Sequence, residues 1–142
     1  MMCVAAAPAT AGAEAVDVVF QQFGLFGIWA PDCAQEASPA NPHVSITTPS
    51  PGQVQENHDL GSGFAINHYT MLSGERLSAE QLSVETIFQS GDAAEERQKL
   101  IFRVHGRTRR TMFNQADSGD VRVKSGIALA NGSKTPVLHK CD

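Results

Sequence analysis

The alternation of apolar and polar residues constrains the fold of this chain more than any other feature of its sequence. From Val44 onward the pattern has a period of two, and Gly, Asn, Asp, Ser or Pro interrupts it about every ten residues. In residues 81–89, for example, Leu82, Val84 and Phe88 share one face, while the opposite face is mostly polar. Such a pattern is typical of antiparallel strands joined by short turns, with one face of each strand in water.

The alternation and the turns together predict eight or nine strands and one helix. The candidate strands lie near residues 27–30, 44–48, 52–59, 63–73, 80–89, 97–105, 108–115, 120–129 and 135–140. Residues 16–23 are the candidate helix, because their apolar side chains recur at i, i+3, i+4 and i+7. The prolines of residues 31–52 favour a long loop with one short strand at 43–48.

A closed barrel is the architecture that fits these strands best, because closure removes exposed sheet edges. We therefore expect an all-β fold, an antiparallel meander that closes into a lipocalin-like barrel of about eight strands. The short N-terminal helix would plug one end of it. An open sandwich is the alternative.

The N-terminal residues indicate export. Residues 1–15 are rich in alanine, and their small residues match the spacing that signal peptidase cleaves. We interpret 1–15 as the remnant of a signal peptide and 16–142 as one β-barrel domain, in a periplasmic or secreted protein. Cleavage would remove Cys3. No apolar run approaches the ~20 residues that a membrane span requires.

The two remaining cysteines are expected to be bonded to each other. In an oxidising compartment Cys33 and Cys141 would form a disulfide that closes a loop of more than a hundred residues. Such a bond contributes about 2–4 kcal/mol. Two free, buried thiols are the alternative.

A short motif on the first predicted strand suggests a family. Gly27-Ile28-Trp29 is a Gly-x-Trp motif, and with the helix, the meander and the terminal disulfide it resembles the calycin and lipocalin group. In that family the tryptophan packs over the barrel base beside an arginine from the last strand, so the resemblance implies structural roles for Gly27 and Trp29. The chain is also similar to small exported bacterial proteins of unknown role, which share the patterns at 27–33 and 135–141.

Positive charge is concentrated in one part of the chain. Eight of the eleven Lys and Arg residues lie between positions 97 and 124, although the net charge is −4. Neighbouring strands would bring several of them together in a patch that holds a carboxylate, a phosphate or a polyanionic surface. A solvated outer face is the alternative. The negative net charge and the low aromatic content argue against nucleic acid as a partner.

Two adjacent arginines, Arg109 and Arg110, must point to opposite sides of their strand. One of them therefore faces the interior and needs a partner, either Trp29 or an acidic ligand. We predict that Arg110 is the inward one, since Met112 on the same side is a flexible apolar filler. Arg109, on the same side as Phe113, is the alternative. The predicted ligand-binding residues are Arg110, Arg109, Arg103 and Tyr69.

The sequence offers little evidence for catalysis. It contains no nucleophile elbow, phosphate-binding loop or Cys-x-x-Cys, and its histidines lack the spacing of metal ligands. His58 and His68 could meet across a hairpin that turns at 61–63 and form a site with Tyr69. This is a weak signal, and we predict no enzyme, no catalytic residue, no metal and no cofactor.

These observations favour a binding function. The leading hypothesis is an exported protein that holds a small apolar or amphipathic ligand, with or without a negative charge, in the barrel beside the inward arginine. The alternative is an envelope protein that binds another protein, such as an inhibitor of a protease or lysozyme. Its proline-rich 31–52 loop or a hairpin tip would then enter the target's cleft. A narrow barrel filled by its own side chains would bind no ligand.

Overall fold

The computed structural model describes residues 14–142. One helix, α1 (Val16–Gln22), precedes eleven strands. The strands are β1 (Gly27–Ala30), β2 (His43–Thr47), β3 (Val54–Asp59), β4 (Asn67–Arg76), β5 (Gln81–Phe88), β6 (Glu96–His105), β7 (Thr108–Ala116), β8 (Val121–Lys124), β9 (Ile127–Ala128), β10 (Ser133–Lys134) and β11 (Leu138–Cys141). Cys3 and most of the predicted signal segment lie outside the described residues. Within the described range, no helix is long and apolar enough to cross a membrane.

Eight of the strands close into an antiparallel barrel. Each of β1 to β6 pairs with the strand that follows it, and β11 closes the barrel by pairing with both β7 and β1. The seam between the first and last strands is formed by pairs such as Trp29 with Lys140. The closed arrangement confirms the predicted barrel and excludes the open sandwich.

The remaining strands, β8 to β10, form a short ribbon beside the barrel. The second half of β7 pairs with β8, whereas its first half pairs with β11. The single strand predicted at 120–129 is thus two strands, since a turn at Ser125 and Gly126, with φ of 52° and 73°, separates them. Gly126 is well suited to this positive φ because it has no Cβ.

Helix α1 and Trp29 complete the apolar core at one end of the barrel. Val16, Val19 and Phe20 of the helix are buried in the same cluster as the inward side chains of the strands. A methyl group on Gly74 of β4 would lie 3.4 Å from Val19, so the helix packs closely against β4 at this point. Trp29 is fully buried, and its indole N–H donates a hydrogen bond to the carbonyl of Leu25 at 2.9 Å. The predicted core role of Trp29 is therefore confirmed.

The cation beside Trp29 is a lysine. Lys140 Nζ lies 5.8 Å from the centroid of the Trp29 ring and donates a hydrogen bond to the carbonyl of Gly24 at 2.9 Å. The prediction that Arg109 or Arg110 would contact Trp29 is wrong. Gly27 has a φ of 128°, and a methyl group there would lie 3.2 Å from Lys140 Cε, so the position suits glycine for both reasons.

The disulfide joins the segment after β1 to the end of β11. Cys33 and Cys141 are bonded across 108 positions of sequence, with their Cα atoms 5.6 Å apart. This confirms the predicted pairing and fastens the seam of the barrel.

Replacing both Cys33 and Cys141 with serine should lower the free energy of unfolding by about 2–4 kcal/mol, because the unfolded chain loses a constraint on a long loop. Urea denaturation followed by circular dichroism measures the change. Wild-type protein unfolded in a reducing agent should behave like the variant. Equal stability of variant and wild type would contradict a structural role for the bond.

Candidate functional site

A buried ion pair crosses the interior of the barrel. Glu56 on β3 and Arg109 on β7 are each 2 % exposed. Arg109 Nη1 donates to Glu56 Oε2 at 2.9 Å, and Nη2 donates to Oε1 at 2.6 Å. The guanidinium also lies 4.3 Å from the ring centroid of Phe102. This two-point geometry is the strong form of an arginine–carboxylate pair.

The inward arginine is therefore Arg109, and the prediction of Arg110 is wrong. Arg109 pairs with Val104 and faces the core as Val104 does, while Arg110 pairs with Arg103 on the outside. Met112 does share a side with Arg110, but that side is the outer one, where a methyl group at Gly126 would touch both residues.

His58 and Tyr69 extend the interior pair toward the end of the barrel away from α1, which we call the mouth. His58 Nε2 lies 2.8 Å from Glu56 Oε1, and the ring centroids of His58 and Tyr69 are 5.0 Å apart. The register of β3 with β4 pairs His58 with Asn67, which puts His68 on the opposite face. The predicted approach of His58 and His68 is thus wrong. In residues 14–142 no group of three or more potential ligand side chains is arranged to hold a metal ion.

The charge of Glu56 is stabilised by its neighbours. Burial alone would raise the pKa of this carboxyl, but the charge of Arg109 and hydrogen bonds from His58 and Arg109 outweigh burial. They hold the pKa of Glu56 well below its usual range. Arg109 and Glu56 are consequently both charged at neutral pH and compensate each other.

A small cavity lies against this pair. It has a volume of about 60 Å³ and is lined by Glu56, His58, Tyr69, Leu100, Phe102, Arg109, Thr111 and Asn114. Two buried polar atoms of the lining residues, Arg109 Nε and Asn114 Oδ1, have no hydrogen-bond partner. Buried polar atoms are rarely left unpaired. Arg109 Nε is thus free to donate a hydrogen bond, and Asn114 Oδ1 is free to accept one, with an ordered water or part of a ligand as the partner.

A chain of polar side chains connects the cavity with the rim. Asn114 Nδ2 donates to Gln98 Oε1 at 3.2 Å, and Gln98 Nε2 donates to Glu96 Oε1 at 2.8 Å. Glu96 also accepts hydrogen bonds from Arg122, and the bonds from Arg122 and Gln98 lower the pKa of Glu96 to about 2. The polar half of the interior is therefore continuous with the mouth.

The four predicted ligand-binding residues are divided between two places. Tyr69 and Arg109 line the interior cavity. Arg103 and Arg110 line a groove of about 260 Å³ on the outer wall, together with His105, Thr108, Arg109 and Val137. Glu56 and Asn114 were missed by sequence reasoning. Glu56 carried a signal, because it shares an inward-facing row with Val54, and a carboxylate in such a row needs a cationic partner.

Comparison with known proteins identifies no relative of this chain. No family model matches the chain, and neither a curated protein nor a solved structure matches it. The fold and the site define a closed, disulfide-bonded β-barrel with a polar half-interior.

The single tyrosine of the chain offers a direct test of this environment. Burial, and then the charge of Glu56, raise the pKa of Tyr69 from 10.0 to about 12. Absorbance at high pH should show the tyrosine ionising near pH 12 in folded protein and near pH 10 in urea. Because the folded pKa is the higher one, the contribution of Tyr69 to stability is complete below pH 10 and is lost as the pH rises through 12. A native midpoint near pH 10 would contradict burial of the hydroxyl.

Proposed function

We propose that this protein is an exported, lipocalin-like binding protein that holds the polar end of a small amphipathic molecule in the cavity beside Arg109 and Asn114. The observation that carries the proposal is the pair of unpartnered atoms, Arg109 Nε and Asn114 Oδ1, on two residues that line that cavity. An incoming hydroxyl or amide group accepts a hydrogen bond from the first and donates one to the second.

The size of the cavity limits what enters it. About 60 Å³ holds two or three non-hydrogen atoms, whereas pockets for whole drug-sized ligands measure ~300–1,000 Å³. The rest of the ligand would lie at the mouth, where the Tyr69 and Phe88 rings are 5.0 Å apart. The apolar cluster around Trp29 occupies the other half, so this arrangement does not favour a fatty acid buried along the barrel axis.

The charge balance favours an uncharged group in the cavity. Glu56 already makes two hydrogen bonds with Arg109 and compensates its charge. A carboxylate placed beside the pair would add an uncompensated negative charge in a buried site. This replaces the initial hypothesis of an anion held by the inward arginine.

Export is part of the same proposal. A disulfide between Cys33 and Cys141 is typical of proteins that mature in an oxidising compartment. We therefore assign the protein to the periplasm or the secreted fraction.

Native mass spectrometry of protein purified from its host tests the binding function. We expect a bound small molecule in the wild type and its loss in Asn114→Leu, which removes the acceptor and fills space. Gln115→Leu is the matched control, because Gln115 is the next residue of β7 and donates a hydrogen bond to the Gly119 carbonyl on the surface. Wild-type protein that carries no small molecule, and whose melting temperature does not respond to short alcohols or amides, would contradict the proposal.

A second candidate function, binding of another protein, is favoured by a rigid loop beside an apolar hairpin tip. The side chain of Asn41 holds residues 32–41 by donating to the carbonyls of Asp32, Gln35 and Glu36 and by accepting from the Asp32 N–H. Preordered loops lose little entropy on binding.

The hairpin between β3 and β4 lies against this loop at Gly61 and exposes Phe64 and Ile66, each by 54 %. A pull-down with envelope hydrolases would test the interface. Capture that is lost in Phe64→Ser and kept in Leu77→Ser, an exposed leucine outside this hairpin tip, supports it. Equal capture by both variants contradicts it.

A further inference from the structure

Arg110 is held rigidly on the outer wall of the barrel by neutral groups. Its Nε donates to Thr135 Oγ1 at 3.2 Å, and its Nη2 donates to the carbonyl of Gly126 at 2.7 Å. The Thr135 hydroxyl is itself fixed by donating to the carbonyl of Thr111 at 2.6 Å. A methyl group at Gly126 would lie 2.5 Å from Arg110 Nη2, so a larger residue there would displace the guanidinium from this position. No carboxylate in residues 14–142 lies within ion-pair distance of Arg110.

A second arginine faces the first across the strands. Arg103 on β6 is paired directly with Arg110 on β7, and like charges in this position repel each other. Glu80 is the one carboxylate of the described residues in ion-pair contact with this part of the wall, 3.9 Å from Arg103 and 2.9 Å from His105. Two arginines against one glutamate leave one positive charge in excess when His105 is neutral.

The two guanidinium groups border the outer groove of about 260 Å³. Beside Arg110, Val137 is 44 % exposed and forms an apolar wall. An anion in the groove would relieve the repulsion between Arg103 and Arg110 and accept hydrogen bonds from nitrogens that Arg110 leaves unused.

We propose that this groove is a second binding site, separate from the interior cavity, for a phosphate monoester or carboxylate whose short alkyl part lies against Val137. The site does not depend on the proposed function of the barrel interior, since neither Arg103 nor Arg110 lines that cavity. The proposed site gives two arginines of the basic segment 97–124 a binding role on the outside of the barrel.

Nuclear magnetic resonance titration tests the site. The Nε–H signal of Arg110 should shift in a saturable way with hexyl phosphate, and more weakly with inorganic phosphate, because the alkyl chain contacts Val137. In Arg110→Gln, which lacks this signal, the backbone amide of Val137 reports binding, and the affinity for hexyl phosphate should fall about tenfold or more, as expected for the loss of a charged hydrogen bond. Glu80→Gln should strengthen it several-fold by removing the competing carboxylate.

Arg97→Gln is the charge-matched control and should change the affinity less than about twofold, since residue 97 lies six residues and roughly 20 Å along β6 from Arg103. Vesicles with and without phosphatidic acid distinguish the source of the group. A shift with hexyl phosphate alone supports a soluble ligand, and a shift with vesicles as well supports a lipid headgroup. Equal losses in Arg110→Gln and Arg97→Gln, or no saturable shift, would overturn the proposal.

Discussion

Arg109→Ala should lower the free energy of unfolding by about 3–5 kcal/mol, because it leaves Glu56 as a buried and unpaired charge. Urea denaturation at pH 7 measures this effect. The exposed residue Arg97 gives the comparison, and Arg97→Ala should change stability by less than about 0.5 kcal/mol.

The double variant Arg109→Met/Glu56→Leu separates the loss of a partner from the loss of the pair. It should regain most of the stability, since apolar side chains of similar volume often replace a buried ion pair without cost.

The depressed pKa of Glu56 adds a pH test. Stability from Glu56 is present above the ordinary carboxyl pKa of 4.5 and is lost as the pH falls below it, so the gap between wild type and Arg109→Ala should narrow in acid. An equal effect of Arg109→Ala and Arg97→Ala would show that the pair is solvated.

Trp29→Ala should lower the free energy of unfolding by about 3–5 kcal/mol as well, because it opens a cavity in a fully packed region. The substitution also leaves the carbonyl of Leu25 without its indole donor. Circular dichroism during urea denaturation measures the change without relying on tryptophan fluorescence. Phe64→Ala, at an aromatic residue that is 54 % exposed, should have little effect on stability. A Trp29→Ala protein that is as stable as the wild type but has lost its ligand would assign Trp29 to a binding site.

Local sequence pattern predicted the strands and the helix well. The strand expected at 80–89 is β5, Gln81–Phe88, and the helix expected at 16–23 is α1, Val16–Gln22. Both signals lie within single elements, where side-chain period alone decides between strand and helix. The strand expected at 120–129 was wrong in its length, because the turn residues Ser125 and Gly126 lie inside it and interrupt the strand.

The direction of Arg109 was predicted wrongly because the prediction used Met112, which lies at an irregular point of β7. The pairing of β6 with β7 is irregular between Ile101 and Phe102, and beyond that bulge Leu100 lies opposite Asn114. A bulge changes which residues of a strand face inward, and no local pattern marks its position. The ion pair is a similar case, since 53 positions separate Arg109 from Glu56 and only the closed barrel brings them together. Which polar side chains meet inside a barrel thus depends on the register of strand pairing more than on amino-acid composition.

The seam between β1 and β11 also has a consequence for how the protein reaches its folded state. Because these two strands are far apart in sequence, the barrel remains open until β11 has been synthesised and has found β1. Folds dominated by such distant pairings form slowly, on a scale of about milliseconds to seconds. A chain that closes late stays unfolded longer during synthesis. An unfolded chain is the form that can be threaded through a membrane channel, so late closure of the barrel is compatible with the proposed export.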